Sequence, residues 1–215
     1  MPLTDLQASE RAISAAQQHL AHHSPVMARL IDEHGPFRPR RSPDPDPFAS
    51  LARAIIFQQL AGKAASSIHR RFVALLDGEV HPAAVLAADP EQIRAAGLSG
   101  AKRDAVLDLA RHATEGLLDL TALDALNDAD LTRRLCRVRG IGPWTAQMFL
   151  LFELGRLDVW PTGDLAVRRG FARAFELPEA PTSRELDPMG DPFRPHRSIV
   201  AWYCWRVLDT ATPSR

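Results

Sequence analysis

Cysteine is scarce in this chain: two in 215 residues, Cys136 and Cys204. They lie far apart, each inside an apolar helical pattern, and read as buried thiols rather than a disulfide. An excess of either charge is missing too. Lys and Arg number 26 against 26 Asp and Glu, so the formal net charge is zero. That argues against a protein that coats a polyanion by bulk charge, and any nucleic-acid grip must come from local patches. There is no long apolar run and no signal-peptide pattern, so the chain reads as soluble and intracellular. No segment alternates polar and apolar residues for long enough to matter as a strand, so the expected fold is all-α. What is plentiful is apolar side chain, 46% of the sequence. That is enough for a substantial core in one large domain or two intimate lobes.

Helical spacing runs through most of the chain. Leu6 to Leu20 form an alanine-rich helix ending in His19, His22 and His23, a cluster short of the ligands a metal centre needs. Ser24-Pro25 opens a helix through Ile31, and His34-Gly35 ends it. The proline-rich stretch from Arg38 to Pro47 reads as a solvated linker, with phosphate contact by its arginines as the alternative. Phe48 to Ile56 is a strongly apolar helix, and Ala64 to Leu76 another. His81-Pro82 and Asp89-Pro90 open short helices, and Ala101-Lys102-Arg103 begins one that ends near His112. Leu165 to Phe175 and Arg197 to Leu208 complete the series. Pro178 to Pro195, rich in proline and acid, reads as a loop.

The organising stretch is Leu135 to Leu150. Asp128 serves as an N-cap, and Leu131, Leu135 and Val138 are spaced for one buried face. Gly140-Ile141-Gly142 turns the chain, because glycine reaches positive φ cheaply. Pro143 starts the next helix, where its missing N–H costs nothing. With no side chains at 140 and 142, backbone N–H groups lie open beside a helix N-terminus, a ready site for a phosphate. Arg137 and Arg139 flank it. The spacing alone equally fits an ordinary helical hairpin.

Val138-Arg-Gly-Ile-Gly-Pro-Trp-Thr-Ala146 resembles the hairpin of the helix-hairpin-helix (HhH-GPD) DNA glycosylase superfamily, named for that hairpin and a Gly/Pro-rich loop with an aspartate. Asp158-Val-Trp-Pro-Thr-Gly-Asp164 matches the loop and the aspartate. The branch most like it is the alkylation-repair type, 3-methyladenine DNA glycosylase II, with matching segments from about Ile55 to Arg206. The resemblance implies one HhH-GPD unit over residues 1–215, made of two helical lobes with the active cleft between them. Lobe A covers about residues 48–154 and ends in the hairpin 129–154; lobe B covers about 1–47 and 155–215. The small N-terminal β domain of some relatives has no room. The four closely spaced cysteines that hold an iron–sulfur cluster in others are missing, and no cofactor is expected.

The implied reaction cuts an N-glycosidic bond. Positive charge grows on the sugar as the base departs, so a fixed negative charge beside the sugar is needed. The resemblance assigns that role to Asp164; on residue pattern alone it is also a plain N-cap. Asp158 braces the loop. Arg197, in Pro195-His-Arg-Ser198, positions Asp164, meets phosphate or forms a structural salt bridge. Trp144 and Trp205 match pocket tryptophans, with Met148 and Trp160 as further pocket residues; an aromatic face attracts the cationic ring of an alkylated purine. Trp202 and Tyr203 offer other faces. Gln58, Gln59 and Leu60 fall where relatives probe the minor groove, with the wedge at Gln59 or, second, at Leu60. Gly140, Ile141, Gly142, Thr145 and Lys102 are the implied DNA-backbone contacts. The Schiff-base lysine of lyase relatives lies two residues past the second hairpin glycine, and here that position is Trp144.

The resemblance therefore implies a monofunctional hydrolase. It would flip alkylated purines of the 3-methyladenine and 7-methylguanine type from duplex DNA and leave an abasic site. The expected partner is double-stranded DNA, with no membrane, a monomeric state, and room for a structural monovalent cation at the hairpin. The expected location is the cytoplasm, or the nucleoid in a bacterium. Two other readings compete: a non-catalytic helix-hairpin-helix DNA-binding module, which would need neither Asp164 nor the aromatic pocket, and a glycosylase-lyase or an enzyme for oxidised or mismatched bases.

Overall fold

The computed structural model describes residues 3–38 and 46–209. Twelve helices occur among them, with no strand, so the fold is all-α. They are α1 (Leu3–His23), α2 (Pro25–His34), α3 (Pro47–Phe57), α4 (Gly62–Leu75), α5 (Pro82–Ala87), α6 (Pro90–Ala95), α7 (Gly100–Thr114), α8 (Asp128–Leu135), α9 (Pro143–Phe152), α10 (Leu165–Ala174), α11 (Ser183–Met189) and α12 (Arg197–Asp209). Short 3-10 turns lie at Leu123–Ala125 and Asp191–Phe193.

The helix starts follow local chemistry. Proline stands in the first turn of α2, α3, α5, α6 and α9, where no N–H is needed. Ser24, Asp46, Asp89, Ser99, Asn127, Asp164 and Thr182 each accept a backbone N–H of the turn they cap. The cap of α8 is therefore Asn127, not Asp128: its side chain accepts from the Asp130 N–H, and Asp128 is the first helical residue.

The chain divides into two compact units, Met1–Arg40 with Gly155–Arg215, and Arg41–Leu154. In the first, Leu20, Met27, Leu30, Phe37, Trp160, Val167, Phe171, Ile199, Val200 and Tyr203 are buried together. α10 crosses α12 so closely that a Cβ at Gly170 would lie 1.9 Å from the Cys204 carbonyl oxygen. Tyr203 is fully buried; its hydroxyl donates to Gly35 O at 2.8 Å and accepts from the Gln17 amide at 2.9 Å. In the second unit Phe48, Leu51, Ile55, Ile56, Phe72, Val85, Ile93, Val106, Leu109, Leu131 and Leu135 are sealed from solvent. There α3 packs against α4, α7 and α9, and α8 against α9.

Several expectations shift. The segment 178–195 is not all loop: α11 is held by a capping box in which Thr182 and Glu185 bond each other's backbone N–H. Of the 38–47 connector, Arg38 is exposed and Asp46 caps α3, while 39–45 fall outside the described residues. His19, His23 and His196 do gather in the first unit, with ring centroids 4.1 and 5.5 Å apart. Among the described residues no such group is arranged to hold a metal ion. Cys204 is a buried free thiol whose pKa burial pushes far up; Cys136 is free but only half-buried, with a smaller rise from the same cause. No described helix is long and apolar enough to cross a membrane.

Candidate functional site

The hairpin between α8 and α9 is built as its glycines demand. Gly140 has φ +80, and a Cβ there would meet that of Ala105 at 2.9 Å, so both conformation and packing require glycine. Val138 and Ile141 anchor the turn in the core, and the Ile141 N–H closes it on Val138 O at 3.1 Å. Gly142 is the N-cap of α9, at φ −95, with no side-chain cap bond and nothing within 4 Å of where a Cβ would stand. The start of α9 is thus uncapped by any side chain, with open space where a side chain at 142 would stand. Arg137 is exposed. Arg139 is exposed too, and is steered by acids on α7: its N–H donates to Asp108 at 2.8 Å, and its guanidinium pairs with Asp104 at 3.2 Å.

The turn between α3 and α4 lies against this hairpin. The Gln58 amide donates to Gly140 O at 2.9 Å and to the buried Thr145 hydroxyl at 3.2 Å. Gln58, half-buried, and Thr145, both marked by the resemblance for DNA contact, thus bond to each other across the junction. Gln59, at φ +56, and Leu60, 39% exposed, form the outward tip. Lys102 does not reach out either: its ammonium donates to Ile56 O and Gln58 O, both at 2.7 Å. In the hairpin, Val138 O and Gly140 O each accept a hydrogen bond, from the Ile141 N–H and the Gln58 amide.

Asp164 belongs to the other unit. The loop that carries it is clamped to the start of α12. Arg197, 9% exposed, binds the Asp158 carboxylate side-on, Nε to Oδ1 at 2.8 Å and Nη2 to Oδ2 at 2.9 Å; Nη2 also donates to Asp158 O. Arg194 adds a bond to Oδ2 at 3.0 Å. The Ser198 hydroxyl donates to Arg156 O at 2.6 Å and accepts from the Val159 N–H at 2.9 Å. Of the alternatives for Arg197, the salt bridge is present, and its partner is Asp158. Tight bonds from Thr162 N–H to Trp160 O and from Asp164 N–H to Pro161 O then deliver Asp164 to the head of α10.

There the Asp164 Oδ1 accepts from the Ala166 N–H at 2.8 Å and the Val167 N–H at 3.0 Å. The Trp205 indole N–H points at the same oxygen from 3.4 Å. The carboxylate is half-buried, and Leu165 beside it is 46% exposed. An N-cap role and a partly open anion therefore coexist in one residue.

The aromatic residues separate by packing. Trp205 is half-buried next to Asp164, Trp144 is 49% exposed, and Met148, one turn along α9 from Trp144, is half-buried. Trp160 is a core residue instead. It is 6% exposed, its N–H donates to Leu186 O at 3.0 Å, and its ring lies against Phe171 and the bare backbone of Gly190. Tyr203 is sealed in the core, and Trp202 packs edge-on to Phe37 and Tyr203. Sequence reasoning missed Ser198 and Arg194 as clamps and Asp104 and Asp108 as anchors of Arg139. Each acts on a residue 31 to 42 positions away, and no local pattern marks such pairs.

An all-helical chain with a glycine hairpin at an uncapped helix start, and an aspartate-headed helix behind a braced Gly/Pro loop, has the parts of a base-excision protein. The chain belongs to the HhH-GPD superfamily of base excision DNA repair proteins, whose family profile matches residues 52–188. It is 33% identical to DNA-3-methyladenine glycosylase 1 of Schizosaccharomyces pombe, over 93% of this chain and 90% of that one. To the alkylbase DNA glycosidase-like protein mag2 of the same yeast it is 26% identical, over 89% and 92%. Among solved structures, S. pombe 3-methyladenine DNA glycosylase (Mag1) in complex with abasic DNA matches with TM-score 0.80 at 33% identity, covering 94% of this chain and 100% of that one. DNA-3-methyladenine glycosidase from Bacillus halodurans matches with TM-score 0.82 at 32% identity, covering 89% and 88%.

Proposed function

We propose that this protein is a monofunctional DNA glycosylase that removes alkylated purines of the 3-methyladenine and 7-methylguanine type from duplex DNA. The observation that carries the reading is the Asp164–Trp205 pair: a half-buried carboxylate fixed by a helix start, with an indole bonded to the same oxygen. The relatives named for 3-methyladenine release support the substrate class.

In this reading the hairpin and α9 start hold the DNA backbone, and the Gln59–Leu60 tip enters the helix where the target nucleotide leaves. Extrusion costs about a few kcal/mol, least for a weakened lesion. Trp205, beside Asp164, offers a face to the extruded base, and a cationic purine over an indole gains ~0.5–2 kcal/mol. As the N-glycosidic bond breaks, its electron pair leaves with the base, and a cationic purine departs neutral. The positive charge left on the sugar is stabilised by Asp164, whose preorganised position makes the charge effective. Water adds at C1′ and loses its proton to solvent, leaving an abasic site. Trp144 stands where a lyase would carry its lysine, so no covalent intermediate forms with the strand.

The test is base release over a panel of defined lesions, with borohydride trapping alongside. The expected result is release of 3-methyladenine and 7-methylguanine, an intact strand and no trapped adduct. Release of oxidised bases only, or a trapped protein–DNA adduct, would overturn the reading.

A further inference from the structure

The last carbonyls of a helix need partners outside it. At the end of α3 the backbone supplies weak ones: the Gln58 N–H reaches Ile55 O, and the Leu60 N–H reaches Phe57 O, both at 3.4 Å. The remaining closure comes from α7. The Lys102 ammonium sits 2.7 Å from Ile56 O and 2.7 Å from Gln58 O. These are short, charge-assisted bonds, made where the helix dipole favours a cation. Burial lowers the pKa of Lys102 from its ordinary value, as expected for a lysine turned inward. Gln58, held by its own carbonyl, then passes the connection on: its amide binds Gly140 O and the Thr145 hydroxyl, both on the hairpin. The next residue, Gln59, is left-handed at φ +56, a conformation that a non-glycine residue keeps only where its surroundings over-determine it.

We propose that Lys102 and Gln58 are positioning residues that clamp the Gln59–Leu60 tip to the hairpin, so that tip insertion and backbone grip occur in register. Two of the three ammonium hydrogens of Lys102 are committed to the protein, so it acts on the tip rather than as a phosphate ligand. This role rests on the reading that the protein opens duplex DNA.

Lys102→Met keeps the length of the side chain and removes its donors. Three readouts apply: the salt dependence of binding to undamaged duplex, 2-aminopurine fluorescence reporting duplex opening, and single-turnover base release at saturating enzyme. The expected result is an unchanged salt slope with opening and release both slowed about tenfold to a hundredfold, the penalty of a misplaced element. Lys102→Arg should recover part of the loss. Gln58→Leu should give the same pattern, and the double variant should be no worse than either single one. A salt slope reduced by about one with normal opening would make Lys102 a phosphate contact and overturn the proposal. If Lys102→Met does not fold, Gln58→Leu decides alone, and normal opening there overturns the clamp. Wild-type protein that opens duplex but releases no alkylated purine would sink the lesion assignment and leave the clamp standing. Failure of the wild type to open duplex would end both.

Discussion

The two helices that carry the proposed sites begin in opposite ways. α9 starts at Gly142 with no capping side chain and open space ahead of it. α10 starts at Asp164, whose carboxylate takes the Ala166 and Val167 N–H groups. An uncapped start offers donors to an anion from outside, such as a phosphate. A start that carries its own carboxylate repels phosphate and offers charge to a cation. The same half-satisfied backbone thus suits two different tasks in the proposed reading, and the deciding difference is one side chain: none at 142, a carboxylate at 164.

Gly142→Asp turns the first start into a copy of the second. It should stabilise the protein by about a few tenths of a kcal/mol and should abolish binding to any duplex, which a mobility-shift titration reads directly. Retained binding would remove α9 as the phosphate site. Arg197→Met strips the brace behind the second start. Leaving Asp158 short of its buried partner should cost about 3 kcal/mol in denaturant unfolding, with Arg194 keeping the loss from being larger. A smaller loss, about 1–2 kcal/mol, is expected for Gly140→Ala, because φ +80 disfavours any side chain and Ala105 is in the way. Gly142→Ala meets nothing, so it should cost only about 0.5 kcal/mol, the penalty of a poorer N-cap, and weaken every duplex alike.

Another effect concerns pH. Burial raises the Tyr203 hydroxyl to about 12, against about 10 in an unfolded chain. The fold favours the protonated phenol, so this contribution is whole below pH about 10 and is lost as pH rises towards 12. Tyr203→Phe should be less stable at neutral pH yet flatter in stability across that alkaline range. An equal slope in both proteins would contradict the assignment.

Features that answer local demands were legible in the sequence. Helical periodicity fixed the all-α class, and Gly-Ile-Gly-Pro fixed the turn and the start of α9. Thr182 and Glu185 carried the capping-box signal for α11, and the acid and proline around them masked it. Features set by distant packing were not legible. Nothing in the local pattern separates Trp160 from Trp205; Gly190 and Leu186 draw one indole into the core, and Asp164 holds the edge of the other. Likewise Gln58 and Lys102 look like surface polar residues until the hairpin and the end of α3 are seen beside them.

In the proposed reaction the charge of Asp164, not its capping bonds, drives base release. Asp164→Asn separates the two, since asparagine caps a helix about as well as aspartate. Single-turnover release of 3-methyladenine from methylated duplex, with enzyme saturating, is the direct measurement. A rate lower by about 10²–10³ with melting temperature and DNA affinity unchanged is the predicted result. A wild-type rate in that variant would contradict the account.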